Sequence, residues 1–527
     1  MTLGICQAVS LTGIEGCLID IEADVSAGLP ATRIVGLADT AVAQAEHRVR
    51  VALGNTGQPY PDTRLTVNLV PAGAPKHGTG FDAAIAVAVL IAQGIVPPQP
   101  SRDTVVLGEL TLEGRIRPIP GVLPALLSAV RDGVTKAVVP SENLAEARFV
   151  DGIHVVGVDD LIELIRLLGA PPHPRDRPPA LATARPEPGE SADEVDELAP
   201  ANVERLHAPP DLSEIVGQRD AVEALIVAAT GRHHLMLTGS PGAGKSMLAN
   251  SLATLLPPLS KREQLEVTAV RSLTSRTGVR ELPTQPPFEA PHHSLTMGGL
   301  IGGGSSLRPG LVSLSAHGVL FLDEAPEFRA HVLDSLRQCL ETGTLTLHRA
   351  GAVGRLPADF QLVMAANPCP CGYAGEPEGT CSCTSAQRRR YLARLSGPLL
   401  DRVDLRVDVG RVRSHRVLID DPQTLTSAQA RAEVERARAA SAERLRPLGH
   451  ELNSQVSGET LRGRLRPASQ ATATLDRALD LGTITLRGYF RLLRIAWTLC
   501  DLAGDQSPGS EHIARAMSWR GGGEHDR

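Results

Sequence analysis

The sequence predicts an α/β protein in which two α/β parts are followed by a helical part. Short apolar segments alternate with segments of helical periodicity over most of the chain. A glycine-rich loop joins an apolar strand, residues 234–237, to a helix, residues 246–256. After about residue 420 the strand patterns fade and helical patterns continue. These observations predict a three-layer core of sheet and helices with a helical domain beside it.

Composition excludes several classes of protein. The 527 residues are 42% hydrophobic and 21% charged, as is typical of soluble globular proteins. No long apolar run and no basic-then-apolar leader occurs, so we expect a cytoplasmic protein with no membrane partner. Eight thinly spread cysteines fit a reducing compartment. A net charge of −6 argues against a globally basic nucleic-acid-coating protein but leaves a local basic channel open.

Changes in composition divide the chain into five segments. In residues 1–168, CLIDIEADV, TRLTVNLV and TVVLGEL are typical of strands, and FDAAIAVAVLIAQG of a helix with a buried face. Residues 169–210 hold ten of the 40 prolines together with acidic runs, which predicts a disordered linker. The second α/β part spans 211–420, the helical part 421–520, and a short tail 521–527.

The loop LTGSPGAGKS matches the pattern G-x-x-x-x-G-K-[ST] in its required context of strand, loop and helix. In this pattern backbone N–H groups surround phosphate oxygens, the lysine reaches the outer phosphates and the hydroxyl binds Mg²⁺. The loop therefore predicts a nucleoside triphosphate and Mg²⁺ as cofactors. Its residues are Gly239, Ser240, Pro241, Gly242, Ala243, Gly244, Lys245 and Ser246.

Two carboxylates follow the apolar strand 319–322. We expect Asp323 to organise Mg²⁺ together with Ser246, and Glu324 to polarise the attacking water. A strand end that merely faces solvent is the alternative. With the glycine-rich loop already present, the pair predicts an NTPase.

Three further residues could complete such a site. Asn367 follows a buried strand at 360–364 and could position the attacking water. Arg402, in LLDRVD, could neutralise transferred phosphate on a neighbouring subunit, or could pair with Asp401 or Asp404. The last long helical pattern carries one stripe of arginines. The stripe could be a solvated face of the helix, or its first residue, Arg487, could contact the γ-phosphate. The stripe consists of Arg487, Arg491 and Arg494, beside an apolar stripe of Leu486, Phe490, Leu493 and Trp497.

Several longer motifs resemble the YifB/ComM family of magnesium-chelatase-like AAA+ ATPases. They are LMLTGSPGAGKS, APHHSLTMGGLIGGGSSLRPGLVSLSAHGVLFLDEAPEF, LRQCLETGTLTLHRAG, ANPCPCGY and RLSGPLLDRVDL. The resemblance implies a Lon-protease-like domain of the ribosomal S5 domain 2 type, a P-loop AAA+ core with helix-2 and pre-sensor-1 insertions, and a helical lid. It also implies that Asn367 is sensor 1, Arg402 a finger acting in trans and Arg487 sensor 2.

The first domain lacks the catalytic pair of the Lon-type proteases that it resembles. Superposing PKHGTGFD on the family's serine loop puts Gly80 at the nucleophile. Superposing PIPGVLPA on its lysine motif puts Leu123 at the base. Thr79 offers a hydroxyl but has no evident base. We therefore expect a non-proteolytic scaffold or binding module, with a protein partner that the sequence does not identify.

The insertions favour a motor that acts on DNA, single-stranded or branched. Ser246 and Asp323 are 77 positions apart, which is more than a P-loop core without insertions needs. The additional residues include the glycine-rich segment PHHSLTMGGLIGGGSSLRPG, which is suited to a pore loop. LETGTLTLHRAGAVGRLPADF predicts a hairpin with a turn at Ala350 and Gly351. It resembles the pre-sensor hairpin of minichromosome-maintenance helicases, so His348 and Arg349 could grip phosphates, or could be ordinary turn residues.

ComM-like proteins are regarded as hexameric helicases that promote branch migration during transformation, and the resemblance implies the same here. Remodelling of a protein partner and assistance of metal chelation are the alternatives. Four clustered cysteines could also bind a structural Zn²⁺ behind Asn367, or could have no metal role. They are Cys369, Cys371, Cys381 and Cys383.

Overall fold

A computed structural model of the chain confirms the α/β fold class. The structure describes residues 3–36, 44–73, 76, 80–98, 103–179, 209–304, 307–349, 352–376, 381–412 and 425–520. The greater part of the predicted linker, the predicted hairpin turn at Ala350 and Gly351, Thr79, the 420/421 boundary and the 521–527 tail lie outside these ranges.

The first domain is built on a mixed seven-stranded sheet. Its strands include two long antiparallel partners, β1 and β2, joined at Gly13, whose φ of 66° favours glycine. The sheet order is β3-β4-β2-β1-β5-β8-β9, with β6 and β7 pairing separately. The strands are β1 Gly4–Thr12, β2 Glu15–Ser26, β3 Ala31–Val35, β4 Arg64–Val70, β5 Thr104–Val106, β6 Glu109–Leu110, β7 Ile116–Arg117, β8 Lys136–Pro140 and β9 His154–Val158.

Helices cover this sheet. The helix Asp82–Ala92 is buried at almost every position, because it is apolar all round rather than along one stripe. The other helices of the domain are Ala45–Asn55, Val122–Arg131, Leu144–Ala147 and Leu161–Leu167.

The ordered chain of the first domain continues past residue 168, the predicted boundary. Gln58 Nε2 donates to Asp176 Oδ1 at 2.8 Å, and the Arg177 backbone N–H donates to the Thr56 carbonyl at 3.0 Å. The first residues of the predicted linker therefore pack against this domain.

The second part contains a five-stranded, all-parallel sheet in the order β11-β14-β17-β10-β18. Strands β14 and β17 are buried at every residue, which explains their unbroken apolar sequences. Because β17 lies between β10 and β14, their carboxyl ends meet at one edge. The sheet strands are β10 Leu235–Thr238, β11 Phe288–Glu289, β14 Val319–Leu322, β17 Gln361–Ala366 and β18 Leu405–Asp408; two hairpins add β12 Gly302–Gly303 with β13 Arg308–Pro309, and β15 Thr344–Arg349 with β16 Ala352–Pro357.

Helices complete the core and form the lid. Those of the core are Arg219–Gly231, Lys245–Leu255, Lys261–Ser272, Met297–Ile301, Leu311–Leu314, Ala330–Thr342, Ser385–Leu392 and Gly397–Leu400. Those of the lid are Ser427–Leu445, Gly458–Arg462, Ser469–Asp480, Leu486–Ala503 and Ser510–Ser518. The lid helices Ser427–Leu445 and Leu486–Ala503 bury their apolar residues in one core with the helix Arg219–Gly231.

The long lid helix differs from its predicted pattern in two ways. Leu486 was expected in the apolar stripe but is 54% exposed, since it begins the helix. Arg491 and Arg494 are not a solvated face, because each is partly buried and donates to a backbone carbonyl. Arg491 Nη1 bonds Val403 O at 2.6 Å, and Arg494 Nε bonds Val456 O at 2.8 Å.

The first domain packs directly on the core. Asn143 Nδ2 donates to the Arg276 carbonyl at 2.9 Å, beyond the helix Lys261–Ser272. Gly13, in the β1–β2 turn, forms a backbone bridge to Arg355 of β16. Within the described ranges no helix is both long and apolar enough to cross a membrane.

Candidate nucleotide site

The glycine-rich loop leaves β10 and enters the helix Lys245–Leu255. Gly242 and Gly244 have φ of 77° and 93°, in the left-handed region where other residues are strained. At Gly239 a Cβ atom would lie 2.3 Å from the Val409 carbonyl oxygen. The glycines are thus required by the backbone path and by the close approach of the chain after β18.

Lys245 is held inside this loop. Its ammonium donates to the carbonyls of Gly239 at 2.7 Å and Ser240 at 3.1 Å, and to Asn367 Oδ1 at 3.0 Å. Burial lowers the pKa of Lys245, and the charges of Asp323 and Glu324 oppose that effect. A largely buried cation whose hydrogen bonds within the described residues all go to neutral oxygens fits an anionic ligand such as a phosphate.

The carboxylate that follows β14 meets the first turn of the helix Lys245–Leu255. Ser246 Oγ donates to Asp323 Oδ2 at 2.6 Å, and the Glu324 backbone N–H donates to Asp323 Oδ1 at 2.8 Å. A hydroxyl and a carboxylate oxygen brought together at the edge of a sheet are ligands that Mg²⁺ prefers. The structure therefore brings together Lys245, Ser246, Asp323 and Asn367.

The side chain of Glu324 is 55% exposed and has a neighbour that sequence reasoning missed. His293 Nδ1 lies 3.9 Å from Glu324 Oε2. His293 belongs to the glycine-rich insertion, whose PHHS segment was interpreted only as part of a pore loop. The insertion therefore reaches the carboxylate expected to polarise water.

Comparison with known proteins gives three family-model matches. Magnesium chelatase, subunit ChlI, matches residues 211–417; subunit ChlI of Mg-chelatase matches 21–143; and magnesium chelatase, subunit ChlI C-terminal, matches 424–520. The chain is 36% identical to competence protein ComM of Haemophilus influenzae, covering 99% of this chain and 98% of that protein. The chain belongs to the YifB/ComM family.

Other relatives share the full length. An uncharacterized protein of Mycobacterium tuberculosis is 47% identical, over 99% of both chains. The uncharacterized protein YifB of Escherichia coli is 34% identical, over 99% of this chain and 97% of its own. The family-model matches lie in both α/β parts and in the lid, and they make this YifB/ComM-family chain a magnesium-chelatase-like AAA+ protein.

The two arginines expected near phosphate meet on one carboxylate, that of Glu341. Arg402 and Arg487 both donate to Glu341 Oε1, the latter at 2.8 Å. Arg402 pairs with Glu341 rather than with Asp401 or Asp404, the partners considered from sequence. Of the three stripe arginines only Arg487, at 53% exposed, keeps its side chain largely accessible to solvent.

The predicted hairpin forms from β15 and β16. Leu345 is buried and His348 is exposed, so the strand turns one face inward and carries polar residues near its end. Arg349 ends β15 and pairs with Ala352. In the chain the hairpin is followed by β17, and Asn367 comes directly after the last residue of β17.

The two positions compared with the Lon-type dyad do not form one. Leu123 is fully buried in the helix Val122–Arg131, and Gly80 lies in the turn before the helix Asp82–Ala92. Leucine has only an apolar side chain and glycine has none, so neither residue can act as nucleophile or base. The four clustered cysteines, by contrast, do converge in space, with ligand atoms all within 4.8 Å of one another.

Proposed function

We propose that this YifB/ComM-family protein is a magnesium-dependent ATPase that assembles into a hexameric ring in the cytoplasm and moves along DNA as a branch-migration helicase in recombination or transformation. The observation that carries the ATPase assignment is the meeting of Lys245, Ser246, Asp323 and Asn367 at the ends of three adjacent parallel strands. Full-length similarity to competence protein ComM supports the DNA assignment.

ATP and Mg²⁺ fit the residues present. Lys245 would hold the outer phosphates, and Ser246 and Asp323 would hold Mg²⁺, which neutralises phosphate charge when bound. Asn367, already bonded to Lys245, would orient the attacking water, and Glu324 would accept its proton. The exposure of Glu324 leaves it accessible to that water.

Arg402 and Arg487 support the ring. They lie together on Glu341, and neither bonds a residue of its own phosphate loop among the described contacts. We propose that both act on ATP bound by the neighbouring subunit, with Glu341 holding them until phosphate replaces it. Each active site would then need two subunits, which makes assembly a condition of turnover.

The hairpin of β15 and β16 supports contact with DNA. In the chain the hairpin lies between the helix Ala330–Thr342 and β17, and β17 ends next to the nucleotide site. A movement of β17 at that site would therefore be passed along the chain to the hairpin. His348 is exposed and Arg349 follows it. Repeated around a ring, such residues would grip phosphates without reading bases, as translocation requires.

The second candidate function is remodelling of a protein partner or assistance of metal chelation. The magnesium chelatase family models that match all three parts favour it, as does the direct packing of the first domain on the core through Asn143 and Arg276. It differs from the first candidate in requiring no response to DNA.

The deciding experiment is ATP turnover of the full chain with and without single-stranded and branched DNA, at several salt concentrations. A DNA motor gives stimulation that fades as salt rises, because phosphate contacts release counterions. Glu324→Gln should bind ATP and assemble without hydrolysing it. Turnover that is indifferent to every DNA tested would contradict the helicase assignment and favour the second candidate.

A further inference from the structure

Four cysteine thiols converge directly after the residue that contacts Lys245. Cys369 Sγ lies 3.3 Å from Cys371 Sγ and 3.7 Å from Cys381 Sγ, and the latter two are 3.5 Å apart. With Cys383 the four sulfurs all lie within 4.8 Å of one another. Two come from the loop after β17 and two from the segment before the helix Ser385–Leu392.

These separations match the edges of one tetrahedron. Zn²⁺ bound to four thiolates has Zn–S bonds of about 2.3 Å, which places the sulfurs about 3.8 Å apart. A disulfide needs sulfurs at about 2.05 Å, much closer than any pair here. An iron–sulfur cluster puts several atoms between its thiolates and needs a wider cage. We propose that Cys369, Cys371, Cys381 and Cys383 bind one structural Zn²⁺.

The surroundings of the sulfurs fit that assignment. Four thiolates around a dication leave an excess of two negative charges, which a nearby cation would stabilise. Arg388 Nη2 lies 3.4 Å from Cys381 Sγ, from the first turns of the helix Ser385–Leu392. Cys369 is fully buried and the other three are partly buried, so the site is closed like a structural zinc site rather than open like a catalytic one.

The zinc site packs on the phosphate loop. Gly372, between the two pairs of ligands, approaches Pro241 so closely that a Cβ would lie 2.5 Å from Pro241 Cδ. Arg411 lies over the ring of Tyr373 at 5.5 Å and donates to the Pro241 carbonyl at 2.8 Å. Zinc would therefore fix the loop that carries Asn367 at one end and supports Pro241 at its middle.

It follows that zinc occupancy sets the affinity for nucleotide. This second step rests on the proposed function, since it requires that the loop at Pro241 bind ATP. The metal assignment itself does not, because metal content is measured without nucleotide. Loss of zinc should weaken binding of an ATP analogue by about tenfold, a typical coupling between neighbouring sites.

The test is metal content of the full chain purified without chelator, by plasma mass spectrometry. We expect one zinc per chain, and none in Cys381→Ser/Cys383→Ser. Cys17→Ser, which removes an exposed cysteine outside the cluster, should keep the zinc and serves as the matched control. Wild-type protein without zinc, or the double variant with undiminished zinc, would overturn the proposal.

Cobalt substitution keeps the test valid if the double variant does not fold. Co²⁺ added to metal-stripped wild-type protein should give thiolate charge-transfer bands and the visible bands of tetrahedral geometry. The absence of these bands would refute the four-thiolate site. Arg388→Ala should lower zinc affinity by about tenfold or more.

Nucleotide binding separates the two steps. Gly372→Ala should bind the ATP analogue more weakly, because the added methyl meets Pro241 and the φ of 85° disfavours alanine; zinc content measured on the same sample shows whether the metal is retained. Zinc-loaded wild type that binds no ATP analogue would refute the proposed function and leave the metal site standing. Equal nucleotide affinity with and without zinc would refute the coupling alone.

Discussion

Arg402 of the core and Arg487 of the lid donate to the same oxygen, Oε1 of Glu341. The three residues come from different parts of the chain, and Glu341 lies in the last turn of the helix Ala330–Thr342, which leads into the β15–β16 hairpin. One carboxylate thus connects the lid, the core and the hairpin. If both arginines leave Glu341 for phosphate on a neighbouring subunit, nucleotide binding there changes a contact at the base of the hairpin.

Mixing two inactive variants tests action in trans. Arg402→Ala and Glu324→Gln should each lower ATP turnover by about a thousandfold. Mixed in equal amounts, they should recover roughly a quarter of wild-type turnover, since random assembly leaves that share of interfaces with both residues intact. Steady-state ATPase assays measure this. A mixture as inactive as its components would show that Arg402 serves its own subunit or only the fold.

Two arginines of one helix should behave differently. Arg487→Ala should abolish turnover while changing stability by less than about 1 kcal/mol, because its ion pair with Glu341 is half exposed. Arg491→Ala should lower the free energy of unfolding by about 1–3 kcal/mol, because it leaves the Val403 carbonyl without its donor. Thermal unfolding with matched ATPase assays distinguishes them. Equal destabilisation by both would argue against an accessible sensor arginine.

Arg349→Ala should lose DNA stimulation, by about tenfold or more, and keep basal ATP turnover, because it removes one phosphate contact per subunit. Arg355→Ala removes the same charge from the opposite strand of the hairpin, nearer its base, and is the matched control. DNA-dependent ATPase assays over a salt series measure both. Loss of basal turnover in Arg349→Ala would indicate a role in the fold instead.

Packing of the first domain on the core should weaken as pH rises from about 5 to 8. Burial raises the pKa of Glu146 from 4.5 to about 7, although its polar neighbours, among them Asn143, which donates to its carboxylate, oppose that effect. Because the folded-state pKa is the higher one, this stabilisation is complete below pH 4.5 and is lost as pH rises through 7. The loss is up to about 3 kcal/mol.

Thermal unfolding from pH 5 to pH 8 measures this effect, with Glu146→Gln as the comparison. The amide cannot ionise but retains an oxygen for the Asn143 Nδ2 donor, 3.1 Å from Glu146 Oε1. The variant should therefore have a flatter profile than the wild type. Identical slopes in the two proteins would assign the pH dependence to other groups.

Local sequence predicted much of the fold and of the nucleotide site. The strand 319–322 agrees with β14, and the predicted P-loop helix differs from Lys245–Leu255 by one residue at each end. Such elements follow from periodicity and from the strict geometry of the glycine loop. The contact between Lys245 and Asn367 could be anticipated only because parallel strands end at the same edge.

Other features depend on contacts between distant residues. Glu341 is 61 positions from Arg402 and 146 from Arg487, and no periodicity encodes that meeting. Arg491 and Arg494 look solvated on a helical projection, because the projection does not show the carbonyls of Val403 and Val456 packed against them. The sequence contains His293 in a recognisable motif, but it does not show that the folded chain brings this histidine close to Glu324.

The backbone bridge between Gly13 and Arg355 is a direct contact between the first domain and the hairpin that we propose holds DNA. A protein bound to the first domain could shift the β1–β2 turn and so change the resting position of that hairpin. It would do so without occupying the nucleotide site or displacing DNA. If the proposed function is right, this contact is a physical route by which a partner of the first domain would change the strength with which the hairpin holds DNA.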